Sequence, residues 1–163
     1  MMPEQNKREK RYNTVKDVAI YLRKSRSEEP ETDLDNHRNI LIEVCKKNGW
    51  RYTEYHEIAS AGTIEMRPEM QRLLKHVKEN LYDAVLVVDL DRLSRGDDID
   101  SGTIRRAFIN SGTLISVVDK LMDLEDDGDD LVFNVQTFVA RLEYKQIKKR
   151  LMRGKKRGSI DGY

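Results

Sequence analysis

Asp17-Val18-Ala19-Ile20-Tyr21-Leu22-Arg23 and Asp83-Ala84-Val85-Leu86-Val87-Val88-Asp89-Leu90 decide the fold. Each is a nearly unbroken apolar run of strand length. A strand exposed on one face alternates; these do not, so both faces are expected to be covered, as in a parallel sheet. Between the two runs, Thr32 or Asp33 can cap a helix that carries Leu34, Ile40, Leu41 and Val44 on one face, and Asn48-Gly49 stops it. Residues 51 to 58 alternate as a further strand. Pro68 in a first turn opens a helix with Met70, Leu73, Leu74 and Val77 on one side. After the second run comes a helix over about residues 99–110, closed by Ser111-Gly112, and then a strand from Thr113 to Asp119. Strands alternating with helices predict an α/β domain with a mainly parallel central sheet flanked by helices.

The last periodic segment differs in kind. Leu131, Val135, Phe138 and Leu142 fall at steps of four, three and four, and Val132, Val139 and Ile147 widen the stripe. The pattern predicts one long amphipathic helix over residues 129–152, about 35 Å at 1.5 Å per residue. That exceeds what a small sheet can cover, so Phe138, Leu142, Ile147 and Leu151 are candidates for self-association. Residues 1–16 are polar and basic and read as a flexible tail, 17–128 as the α/β domain, and 153–163 as a linker.

The chain of 163 residues is 38% hydrophobic and 36% charged, which suits one soluble domain. A net charge of +1 hides strong segregation. Residues 141–158 hold nine Lys or Arg against the single acid Glu143, and residues 123–130 hold six carboxylates. Such patterning is a partner signal, and Arg150, Arg153, Lys155, Lys156 and Arg157 form a candidate polyanion surface. Cys45 is the only cysteine, so no internal disulfide can form, and its apolar neighbours predict a buried structural thiol. His37, His56 and His76 fit no metal spacing. The absence of an apolar run of membrane length or a signal-type segment places the protein in the cytoplasm.

The chemistry-bearing residues sit where the two deciding runs end. Tyr21-Leu22-Arg23-Lys24-Ser25 sets a hydroxyl beside cations, and Asp91-Arg92-Leu93-Ser94-Arg95 adds two guanidiniums and a carboxylate. In a parallel sheet these strand ends meet at one edge. A serine among arginines suits attack on a phosphodiester, with the hydroxyl as nucleophile and the guanidiniums holding the phosphate. Asp91 can orient an arginine through a carboxylate–guanidinium contact. Two other readings compete. A metal-dependent nuclease would use Asp89, Asp91, Asp97 and Asp98, but Arg92 and Arg95 would repel its cation. A non-catalytic α/β binding module would leave Ser25 inert.

Together the islands resemble the serine recombinase family, the resolvases, invertases and large serine integrases. The matching residues are Tyr21, Arg23 and Ser25, then Ser60-Ala61-Gly62 with Arg67-Pro68-Glu69-Met70-Gln71-Arg72-Leu73-Leu74, and then Asp91 to Arg95. The resemblance implies a resolvase-like catalytic domain, the catalytic part of a large serine recombinase, over residues 17–128. It implies Ser25 as nucleophile, Arg23, Arg67, Arg92 and Arg95 as phosphate ligands, and Asp91 and Tyr21 in support. It also implies double-stranded DNA as partner, no metal or other cofactor, a homodimer that assembles to a homotetramer, and a DNA-binding region beyond the linker. One departure stands out: Glu143-Tyr144 occupies the place where the family usually carries Glu-Arg.

Overall fold

The computed structural model describes residues 13–24, 31–58, 64–93 and 98–160. Five strands form one sheet in the order β2-β1-β3-β4-β5. They are β1 (Asp17–Lys24), β2 (Arg51–Ile58), β3 (Ala84–Val87), β4 (Leu114–Val117) and β5 (Lys120–Met122). The first three pairings are parallel, and β4 with β5 is antiparallel. The helices are α1 (Glu31–Asn48), α2 (Pro68–Lys78), α3 (Asp98–Ser111) and α4 (Asp127–Ile160).

The unbroken apolar runs behave as expected. Val18, Ile20 and Leu22 of β1 pack with Leu41, Ile42, Val44 and Cys45 of α1 on one face of the sheet. Ala19 and Tyr21 point the other way, into a second core with Met70, Leu73, Leu74 and Val77 of α2, Ile104, Ala107 and Phe108 of α3, and Phe133 of α4. The helices divide this way because the chain reverses direction across the sheet. It steps from β1 outward to β2, then back past β1 to β3 and on to β4, and with crossovers of one hand a reversal moves the helices to the opposite face. Each fully buried Leu or Met of α2 contributes about 1.5–3 kcal/mol, so truncating Leu73 would cost more than any surface change on that helix.

Several expectations need correction. Val15 is 5% exposed and belongs to the α1-side core, so ordered packing starts inside the segment read as a tail. Ile40 is 44% exposed, and Ile42 and Cys45 take its place against the sheet. Leu90–Arg92 is a turn of 3-10 helix capped by the Asp89 side chain, so Asp89 and Asp91 do not share the face of a strand. A short β5 follows β4 through a hairpin in which Val118 takes a φ of 56°. That conformation is strained for a β-branched residue; bonds from Val118 N to Val87 O (2.9 Å) and from Ser116 Oγ to Val118 O (2.8 Å) hold it. The long helix starts at Asp127 and continues to Ile160, so residues 153–160 are helical where a linker was expected.

Candidate active site

The sheet order places β1 beside β3, and the chain leaves their C-terminal ends in opposite directions. Such a switch point opens a crevice at the carboxyl edge of the sheet. Arg23 reaches it from the end of β1, Arg92 from the turn after β3, and Arg67 from the N-cap of α2.

Arg23 and Arg92 hold each other's backbone. Arg23 Nη2 donates to Asp91 O at 3.2 Å, and Arg92 Nη1 donates to Arg23 O at 3.0 Å. Arg67 Nη1 donates to Leu93 O at 3.0 Å, so a third guanidinium is tied to the same loop. Arg23 and Arg67 are 4% and 2% exposed. Burial lowers the Arg23 pKa from its ordinary value, and the Arg67 and Arg92 guanidiniums press it in the same direction. These arginines stay charged, since the guanidinium is effectively always protonated. The crevice is therefore a concentrated positive field in a water-poor setting. Arg67 Nε and Nη2 are buried and have no hydrogen-bond partner among the described residues. A buried unpaired donor is costly, so a site that keeps two of them on one cation is built for an anion.

A carboxylate that sequence reasoning missed organises this group. Glu57, near the end of β2 and 2% exposed, lies in register with Arg23. Its Oε1 accepts from Tyr21 Oη at 3.3 Å and from Met70 N at 3.0 Å, and its Oε2 accepts from Glu69 N at 3.2 Å. It thus caps the N-terminus of α2 from outside the helix, satisfying orphan amide donors beside Arg67. Burial pushes the Tyr21 phenol above the usual tyrosine range, which keeps it a neutral donor to Glu57. Nothing in a short alternating strand announces such a carboxylate. The available signal was an inward-facing acid two positions after the inward-facing Tyr55.

Residues 18–163 match the family described as Resolvase, N terminal domain. The chain belongs to this family. Its catalytic class is that of the serine site-specific recombinases. Among solved structures, it is similar to the N-terminal catalytic domain of TP901-1 integrase at 26% identity and a TM-score of 0.58, covering 80% of this chain and 98% of that one. The C-terminal catalytic domain of ISC1926 TnpA, an IS607-like serine recombinase, matches at 29% identity and a TM-score of 0.54, covering 76% and 78%. A resolvase family site-specific recombinase from Streptococcus pneumoniae shares the fold at 21% identity and a TM-score of 0.57, covering 89% and 99%.

Within this resolvase-type domain, Tyr21, Arg23, Arg67, Asp91 and Arg92 come together at one sheet edge. Ser25, Ser60 to Gly62, Arg95 and Asp97 lie outside the described residues. So do the side chains of Tyr144, Ile147, Leu151, Arg153, Lys155, Lys156 and Arg157, although α4 runs through all seven positions. Arg150 is exposed on α4. Asp89 accepts from Arg92 N at 3.2 Å and sits 3.7 Å from Arg92 Nε, so it serves an arginine. Among the described residues, no group of His, Cys, Asp and Glu is arranged to hold a metal ion, and no helix is long and apolar enough to cross a membrane.

Proposed function

We propose that Ser25 is the nucleophile of this recombinase and that Arg23, Arg67, Arg92 and Arg95 bind the phosphate it attacks. The Ser25 oxygen forms a bond to phosphorus while the bond to the 3′ oxygen breaks. One DNA end leaves as a 3′ hydroxyl and the other stays as a 5′-phosphoseryl ester. Attack by a 3′ hydroxyl on that ester reverses the step, so rejoining needs no outside energy source and no cofactor. Asp91 and Tyr21 support the arginines.

The observation that carries this reading is Arg67, 2% exposed with two nitrogens lacking a protein partner among the described residues. A phosphate oxygen is the acceptor that such donors fit. The test is a nicked suicide duplex incubated with protein in the presence of a chelator. A covalent protein–DNA adduct is expected, and Ser25→Ala should abolish it. An adduct that persists in that variant moves the nucleophile elsewhere. Cleavage without an adduct that the chelator stops would favour the carboxylate-and-metal alternative.

The same reading extends to assembly. Asp129, Phe133 and Thr137 are the buried positions of the first turns of α4, while Leu131, Val135 and Leu142 are 64%, 52% and 42% exposed on the opposite side. We assign this stripe, with Phe138, Ile147 and Leu151, to a homodimer that pairs into a homotetramer on double-stranded DNA. Arg150, Arg153, Lys155, Lys156 and Arg157 would follow the DNA backbone, with affinity that falls as salt rises. The working compartment is the cytoplasm.

A further inference from the structure

We propose that the groove between the C-terminal end of α2 and the outer face of α3 is a second phosphate site, separate from the catalytic crevice. Its ligand is a phosphoryl oxyanion, supplied by free phosphate or by a small phosphomonoester. The groove has a volume of about 370 Å³ and is lined by Lys78, Thr103, Arg106, Ala107, Asn110 and Ser111. That volume lies in the range of small-ligand pockets.

Thr103, Arg106, Ala107 and Asn110 occupy one face of α3 at helical spacing. Ala107, 3% exposed and part of the core, is the buried member of the lining. The lower end is fixed by bonds from Thr113 Oγ1 to Tyr82 O (3.5 Å) and between Ser111 Oγ and Thr113 Oγ1 (2.7 Å). The two helices are thus joined just beyond their C-terminal ends.

The charges in the groove are unbalanced. No Asp or Glu lines it. Arg38, Arg51, Arg72 and Arg105 on the same domain each bond a carboxylate, namely Glu54, Asp17, Glu69 and Asp130. Among the described residues, Arg106 and Lys78 take part in no ion pair, and the Asn110 carboxamide makes no side-chain hydrogen bond. An ammonium, a guanidinium and a carboxamide around one concavity offer several donors to one small group. Phosphate, with several acceptor oxygens and negative charge, matches that set better than a neutral ligand does. Lys78 stands at the far end of α2 from Arg67, so this phosphate is not the one under attack.

The experiment is an amide NMR titration of the full chain at constant ionic strength. The probes are inorganic phosphate, a nucleoside monophosphate and, as control, chloride. Saturable shifts are expected at the amides of Thr103, Arg106, Asn110 and Ser111 with both phosphate probes. Tighter binding of the monophosphate assigns the site to an organic phosphomonoester, and equal binding assigns it to free phosphate. Lys78→Ala with Arg106→Ala should weaken binding by at least about tenfold, and Arg67→Ala should leave it unchanged. Both groove side chains are exposed, so the double variant should keep its fold, which circular dichroism checks. Non-saturating shifts, equal shifts with chloride, insensitivity to the double variant, or shifts confined to Arg23, Arg67 and Arg92 would each overturn the proposal. A mass increase without those saturable shifts would assign the groove to a second copy of the chain and also overturn it.

Discussion

The crevice and the long helix break the same rule in opposite directions. In the crevice, Arg23 and Arg67 are 4% and 2% exposed, where cations ordinarily stay in water. On α4, Leu131 and Val135 are 64% and 52% exposed, where apolar side chains ordinarily leave it. Each arrangement costs free energy in the isolated chain, and each cost disappears against the right partner. An anion would repay the buried arginines, and an apolar surface would cover the helix. Functional regions are the places where residue type and burial disagree. The sign of the disagreement names the chemistry of what is missing.

Arg67→Met tests the crevice side most severely. Cleavage should fall by about 10²–10³-fold, the loss of one transition-state donor. The melting temperature should hold or rise, because a poorly satisfied buried cation is replaced by a side chain that packs. A variant that melts early would make Arg67 a structural residue.

The helix side should show the reverse split. Val135→Asp combined with Leu142→Asp should weaken self-association by roughly 10²-fold, from two side chains each contributing about 1.5 kcal/mol or more. Sedimentation velocity reads that change. Thermal melting of the dilute protein should barely move, because neither residue supports the sheet. Unfolding with no change in mass distribution would make α4 a core element along its whole length.

Glu57→Ala should blur the distinction. It strands Tyr21 Oη and two helix-terminal amides at once, costing about 2 kcal/mol, and it releases the start of α2 that carries Arg67. Stability and cleavage should therefore fall together. Glu57→Gln keeps an acceptor and should lose less of both.

The smallest effect belongs to the Arg105–Asp130 pair that docks α4 on α3, with Arg105 Nη2 2.8 Å from Asp130 Oδ2. The Arg105 hydrogen bond holds the Asp130 carboxyl below its usual range. A carboxyl depressed in the folded state stabilises above its unfolded pKa of about 3.9 and loses that contribution as pH falls through the folded value. Asp130→Asn should flatten the acid limb of the stability profile by less than about 1 kcal/mol, since Arg105 is partly in water. A larger change in urea midpoints below pH 4 would give the pair a greater share of α4 docking.

The parallel sheet was legible because β1 and β3 are apolar on both faces, which is a local property. The convergence of Arg23 and Arg92 followed from it, since strand ends in such a sheet share an edge. What escaped was decided by pairing across the chain. Lys120-Leu121-Met122 has no pattern of its own and becomes a strand only because β4 lies beside it. Asp89-Leu90-Asp91 alternates like a strand, but the Asp89 carboxylate bonds to Arg92 N and winds the chain into a turn. Glu57 carries no motif, and its role exists only once β2 lies against β1 and α2 begins above both. Ile40 and Ile42 flank the Leu41 stripe of α1 on opposite sides, and spacing alone did not say which side meets the sheet.

The reciprocal grip of Arg23 and Arg92 has a consequence for inheritance. Each side chain is a fastener for the main chain that carries the other. Arg23 lies inside β1, so the sheet fixes its carbonyl, and the turn after β3 is the partner that must fit it. An insertion between β3 and Asp91 would release Arg23 and pull Arg92 from its carbonyl. Viable descendants of this sequence must keep the length of that turn. The opposite edge of the sheet is tied by a carboxylate instead: Asp83 Oδ2 accepts from Lys16 N and Asp17 N, each at 3.0 Å.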